Sequence, residues 1–377
     1  MRMRLTSILG GCVRAALAAT LALAPSGCGH AEPKGQRQRV LYIYNWADYI
    51  GKDTVRDFEA ETGIRVIYDT YDSQQTAEAK LLAGDSGYDA VAASSDYFAR
   101  QIKAGVYQPL DRSKLTNWKN LDPHALAVEA KADPGNRYAV PYLHSVDGFA
   151  YNIAQIRERM PNAPVNSLRM LFDPNVVKHF ADCGVSFLNS PEGVEQLALV
   201  YLHLDPNTTR KRDYLRAEKL LLSVRPYIRA FDSAEYMNGL INGDFCIAMS
   251  YSGDYSVSEA RARAAGKKLD LAFTVPVEGA NISYDAWLIP AGAAHPQAAL
   301  EWLNYLLKPR VIAAITNEIH YGNNNRAANA YVNPSILHDP AIYPPPQVEA
   351  RLFEAKEVSA KLERLRLRIW MRVTTGL

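Results

Sequence analysis

From Val40 to Gly105 the sequence alternates strand and helix three times, and each helix stops at a glycine. Val40–Tyr44, Arg65–Asp69 and Tyr88–Ala92 are β-rich runs. Thr54–Thr62, Ser73–Ala83 and Asp96–Ala104 read as helices closed by Gly63, Gly84 and Gly105. Glycine accepts the left-handed position after a helix without a Cβ penalty, so it marks helix ends. Alternation at this spacing predicts a mostly parallel sheet with helices on both faces.

The second half repeats the theme. Val185–Leu188, Ile228–Ala230, Cys246–Ser250, Leu271–Val275 and Ile282–Ile289 read as strands. Ser190-Pro191 opens a helix with an N-cap and a first-position proline. Helices follow at Ala234–Asn242, Tyr255–Ala265 and Pro296–Leu307. A last helix from Lys361 to Arg372 turns Leu362, Leu365, Ile369 and Trp370 inward, and its charges read as a solvated face. The pattern suits two α/β lobes of similar size, with chain crossings near Tyr142–Ser145 and near 260–270.

The first strand ends in Tyr44-Asn45-Trp46-Ala47-Asp48-Tyr49. Open α/β sheets bind ligands at such strand ends. A carboxylate between aromatic rings suits an organic cation, through charge pairing and cation–π attraction. The same residues also fit a packed strand end with Asp48 capping the next helix. On this segment alone both readings stand.

Arg2, Arg4 and Arg14 flank an apolar run, Ala15–Ala24, followed by Pro25-Ser26-Gly27-Cys28. A basic segment, a short apolar core and small residues describe an export signal too short for a stable membrane span. Two processing outcomes are open: cleavage at a lipoprotein-like box with acylation of Cys28, or cleavage nearby, after Ala31. Residues 28–38 read as a tether. The chain has 4 Cys. Cys183 and Cys246 lie in the exported body, and one disulfide is the simplest state in an oxidising compartment. Two buried thiols are the alternative. Hydrophobic residues at 48% and charged residues at 22% are ordinary globular usage. The net charge of +2 falls to about −1 once the three leader arginines are gone, which argues against nucleic acid as a partner. About 340 exported residues suit two lobes better than one core.

Several ordered segments then resemble one family. They include Tyr44-Asn45-Trp46, Asp48-Tyr49-Ile50, Glu61-Thr62-Gly63-Ile64, Gln108-Pro109-Leu110-Asp111, Trp118-Lys119-Asn120-Leu121-Asp122-Pro123, Cys183-Gly184-Val185-Ser186-Phe187-Leu188, Asn242-Gly243-Asp244 and Ile342-Tyr343-Pro344-Pro345. From about residue 40 to 377 the chain resembles the polyamine-binding proteins of bacterial ABC importers, most closely the putrescine-binding members. The resemblance implies a two-lobed type II periplasmic-binding-protein fold, each lobe a mostly parallel α/β sheet, joined by a hinge. Lobe 1 is then expected at 39–143 and 264–320, and lobe 2 at 144–263 and 321–377. A monomer is expected, handing its ligand to permease subunits, with no cofactor.

Carried over residue by residue, the resemblance places ligand contacts at Trp46, Asp48, Tyr49, Ser94, Tyr251, Asp254, Asp285 and Tyr321. The physical logic is independent of it. Burying an ammonium costs several kcal/mol unless carboxylates and acceptors replace its water. Four positions depart from the putrescine-binding pattern: Ala47 for serine, Gly193 for glutamate, Tyr251 for tryptophan and Ser283 for phenylalanine. Asp147 is a candidate replacement acid, with surface placement near the hinge as its plain alternative. Glu192 adjoins Gly193 but points about 100° away on a helix. These departures imply a longer or bulkier cation than putrescine. Enzyme signatures fare poorly, since the chain has no His-Glu-x-x-His, no Gly-x-Ser-x-Gly and no glycine-rich phosphate loop. A polyamine-sensing receptor without transport would carry the same site, as would a binder of another organic cation.

Overall fold

The computed structural model describes residues 38–376 apart from Asp72 and Ala234. The leader, the tether, Cys12 and Cys28 lie outside the described residues. Among those described, no helix is long and apolar enough to cross a membrane.

The first three strands, β1 (Val40–Trp46), β2 (Arg65–Tyr71) and β3 (Ala90–Ser94), are parallel neighbours. The helices Thr54–Thr62, Gln74–Leu82 and Ser95–Lys103 intervene. Gly63 sits at φ 69° and its N–H closes the first helix onto the Glu59 carbonyl at 2.9 Å. A residue with a Cβ is strained there. Alternate residues of β1 and β3 point to opposite faces. Leu41, Ile43, Ala90 and Ala92 therefore join a core around Phe58, Tyr142, Trp287 and Trp302. Tyr44, Val91 and Ala93 join a smaller one with Tyr71, Tyr88 and Phe98.

The next strands are β4 (Ala139–Asn152), β5 (Val185–Phe187), β6 (Ala230–Phe231), β7 (Ile247–Tyr251), β8 (Leu271–Thr274) and β9 (Ala280–Leu288). The strand order is β2-β1-β3-β9-β4-β7-β5-β6. The parallel sets β2-β1-β3 and β7-β5-β6 flank antiparallel pairings of β9 with β3 and β4, and of β4 with β7. β4 is the organising element. Its first half pairs with β9, and its second half, from Asp147, pairs with β7 and β8. Val140, Tyr142 and Leu143 accordingly belong to the Trp287 core. Val146 and Phe149 belong to a second core built on Phe172, Phe180, Phe187 and Tyr214.

The later part of the chain is shared between the two cores. Leu271, Ala280, Ile282 and Tyr284 pack in the second core, so the chain returns to the first along β9, near residue 285. Tyr321, Ala328, Val332, Ile336 and Ile342 pack in the first core. Short strand β10 (Gly322–Asn323) pairs with β4 at Leu143 and His144. The final passage to the second core therefore falls beyond residue 343, where β11 (Leu352–Phe353) pairs with the start of β9. The reason is packing: the segment after the helix Pro309–Ile319 covers apolar surface on its own side before it leaves.

The last helix, Ala360–Thr375, buries Leu362, Ile369 and Trp370 as its pattern implies. Its charges are not all solvated. Arg366 is 3% exposed, with Nε 3.3 Å from Glu195 Oε2 and Nη1 3.4 Å from both Glu192 and Glu363. A buried guanidinium of this kind needs several acceptors to offset its lost hydration.

Cys183 and Cys246, 63 positions apart in sequence, form a disulfide with Cα atoms 5.5 Å apart. It ties the entry to β5 to the entry to β7. Replacing both with alanine should lower unfolding free energy by about 2–5 kcal/mol in denaturant titrations. A loss within error would mean the bridge adds nothing to this core.

Candidate functional site

Strand register assembles the site. In the β3–β9 pairing Ser94 lies opposite Asp285, in β4–β9 Ser145 lies opposite Ser283, and in β4–β7 Asp147 lies opposite Tyr251. These pairs fall where β4 and β9 pass from one core to the other. A cleft of about 920 Å³ opens there, and Trp46, Asp48, Tyr49, Ser94, Asp147, Tyr251, Asp254, Ser283, Asp285 and Tyr321 all line it. Every sequence-predicted ligand residue thus reaches one hollow. Eight carboxylates and two basic side chains, Lys52 and Arg261, share its walls.

Asp254 opens the helix Asp254–Ala264, where the helix dipole favours an acid. The preceding Gly253 permits close approach, since a Cβ there would stand 2.7 Å from the His320 carbonyl. That approach sets Tyr321 beside Asp254, and its hydroxyl donates to Oδ1 at 2.7 Å, while Tyr236 donates to Oδ2. Asp285 accepts from the Tyr49 hydroxyl at 2.7 Å. Tyr49 and Tyr321 meet edge to face with centroids 5.1 Å apart, so one aromatic pair links the two acids.

Burial governs the charge states. It raises the Asp285 carboxyl to about 6, against the hydrogen bond from Tyr49 that lowers it. Asp254 also rises to about 6 through burial and the nearby Asp48 charge, opposed by Tyr236, Tyr321 and Arg261. Asp147 is 3% exposed and rises to about 7, with burial dominant and Glu192 adding to it. Its hydrogen-bond contact is Asn281 Nδ2 at 3.4 Å. None of these three acids is ion-paired among the described residues. Across the cleft the half-buried Asp96 lies within hydrogen-bonding reach of Glu192, and burial and that neighbour hold its carboxyl well above the usual range.

Asp48 has a different place. It occupies the left-handed region at φ 52°, and its side chain is 79% exposed. Its Oδ2 stands 3.6 Å from Arg261, which belongs to the opposite core's helix. The helix cap is Asp53, so Asp48 is not the N-cap. Asp48 therefore sits at the mouth, and an exposed pair of this kind is worth about 0–1 kcal/mol. Trp46 packs against Tyr71 with centroids 4.4 Å apart, and its buried indole N–H lacks a hydrogen-bond partner.

Tyr236, Asp96 and Arg261 were missed in the sequence. Arg261 had a signal, since it follows Asp254 by seven residues, two helical turns along one face. Tyr236 and Asp96 had none, because their relation to Asp254 and Glu192 is purely tertiary. His144 bonds Asn324 and the Ile342 carbonyl, and His320 bonds Ser256. Both are packed within the fold.

An inter-core cleft crossed by paired strands, lined with acids and aromatic rings, defines a two-lobed solute-binding protein. Comparison with known proteins agrees. The bacterial extracellular solute-binding protein family matches residues 53–344, and the chain belongs to it. The chain is 44% identical to the putrescine-binding periplasmic protein PotF of Escherichia coli K12, over 90% of this chain and 92% of that one. It is 42% identical to the putrescine-binding periplasmic protein SpuD of Pseudomonas aeruginosa UCBPP-PA14, over 96% and 97%. Among solved structures, a proposed spermidine/putrescine ABC transporter of Listeria monocytogenes superposes with a TM-score of 0.81 at 26% identity, covering 90% of this chain and all of that one.

Tyr49→Phe removes a donor that stabilises the charged form of Asp285. The Asp285 carboxyl should then titrate above about 6 in carbon-detected NMR. A value unchanged or lower would contradict the hydrogen bond.

Proposed function

We propose that this protein captures a polyamine in the cleft between its lobes, outside the inner membrane, and delivers it to an ABC permease. The observation that carries this reading is three buried carboxylates, Asp147, Asp254 and Asp285, without a cationic partner among the described residues, set among tyrosine rings. Ammonium groups would supply the missing counter-charge, and methylene segments would lie on the rings. Names of the relatives with 44% and 42% identity point to the same ligand class.

The lobes are taken as 38–143 with 286–343, and 144–285 with 352–376, following core membership. The ligand contacts both, so it favours the closed arrangement by the difference in affinity between open and closed forms. Trp46, Tyr49, Ser94, Tyr251, Asp254, Asp285 and Tyr321 form the pocket, with Ser283 and Asp147 beside them, while Asp48 and Arg261 close the mouth. The protein acts as a monomer in the periplasm. The mass of the mature amino terminus distinguishes a free protein from one acylated at Cys28.

Asp285→Asn should weaken polyamine binding by roughly thirtyfold or more, since truncating a buried charge pair costs about 2–5 kcal/mol. Asp48→Asn should cost far less, because its acid is exposed and already paired. Calorimetric titration with a panel of amines measures both, and equal losses would reject this division of roles.

Affinity should also depend on pH in a defined direction. The empty site holds protons on Asp147, Asp254 and Asp285 up to about pH 7, 6 and 6. A bound cation lowers those values, so binding releases protons and weakens as pH falls from about 8 to 5. Calorimetry in buffers of different ionisation heat reads the proton count. No proton release at pH 6 would show that the acids are already ionised when empty.

A further inference from the structure

We propose that Asp147 is a third cation position that makes the cleft selective for a linear triamine over diamines. This inference rests on the polyamine reading above and goes beyond it by naming the charge count of the ligand.

The argument starts from charge balance among the acids that line the cleft. Asp48 has Arg261, and Glu192 has the buried Arg366. Asp96 lies against Glu192, and burial with that neighbour holds its carboxyl well above the usual range. Glu235 and Glu318 are exposed, which leaves Asp147, Asp254 and Asp285, each less than a tenth exposed and none in an ion pair among the described residues. Asp254 and Asp285 bracket the Tyr49–Tyr321 ring pair and suit two ends of one amine segment. Asp147 comes from a different element, β4, where it stands opposite Tyr251 and outside that ring pair's hydrogen bonds.

Gly193 makes room for it. A Cβ built on Gly193 would stand 3.2 Å from Asp147 Oδ2, so the carboxylate occupies space that a side chain at 193 would claim. The long contact from Asn281, at 3.4 Å, leaves most of its accepting capacity free and facing the cleft. A diamine pairs with two of these acids and leaves Asp147 holding its proton, with no charge pair gained there, whereas a third ammonium draws that proton off and pairs with the carboxylate. A ligand with three charged nitrogens leaves none unpaired. The hollow of about 920 Å³ has room for the added segment.

Calorimetric titration of ligand-stripped protein with spermidine, putrescine and cadaverine tests this, on wild type and on Asp147→Asn. Wild type should bind spermidine at least tenfold more tightly than either diamine. In the Asn variant, checked for an unchanged thermal midpoint, the ratio of spermidine to diamine affinity should fall at least tenfold. Equal or tighter binding of a diamine by wild type overturns the proposal, as does a ratio that Asp147→Asn leaves unchanged. Both of those results keep the polyamine reading. Failure of all three amines to bind wild type overturns that reading, and this one with it.

Discussion

Everything in the cleft depends on the cost of keeping carboxylates out of water. Asp147, Asp254 and Asp285 are held where burial raises their proton affinity by about two to three pH units above an ordinary aspartate. Each unit corresponds to about 1.4 kcal/mol. Because these folded-state values are raised, the three acids favour the empty folded protein most below the ordinary aspartate range, near pH ~4, and that contribution is lost as pH rises through about 6 to 7. A cationic guest reverses the balance by supplying counter-charge that the protein withholds. The tyrosines moderate the cost without cancelling it, since their hydroxyls donate to Asp254 and Asp285 but carry no charge.

The fold is arranged to concentrate those acids. β4 is a single strand of 14 residues that serves both cores, and β9 runs back beside it. A site built where two strands pass between two cores draws on both at once. Asp285 comes from β9 where that strand passes between the cores, Asp254 from a helix of the second, and Tyr321 from a segment packed in the first core. Relative movement of the cores would change all their separations together. Passage of the backbone through the middle also explains why the site residues are so far apart in sequence.

Local signals were well read. The glycine stops at 63, 84 and 105, the cap at Ser190-Pro191 and the alternation in β1 and β3 are properties of short segments, and the structure has elements at those places. The pairing of Cys183 with Cys246 followed from there being two cysteines in the exported body. Which core a segment joins is not a local property. Apolar residues at 271–284 and 321–342 look alike wherever they pack, and only contact decides which core receives them. Arg366 shows the same gap: on a helix that is otherwise amphipathic, its burial depends on glutamates 171 and 174 residues away.

By itself, the sequence determined the elements and the residue types of an organic-cation site, because each is encoded by spacing or chemistry within a few residues, or by ordered likeness to a family. The tertiary structure alone decided which acids are uncompensated. Asp48 and Asp285 are the same residue type beside the same kind of aromatic neighbour. One is exposed and faces an arginine, while the other is buried against a tyrosine hydroxyl. Hydration and pairing are set by distant atoms, so the charge each acid offers a ligand exists only once the chain has folded.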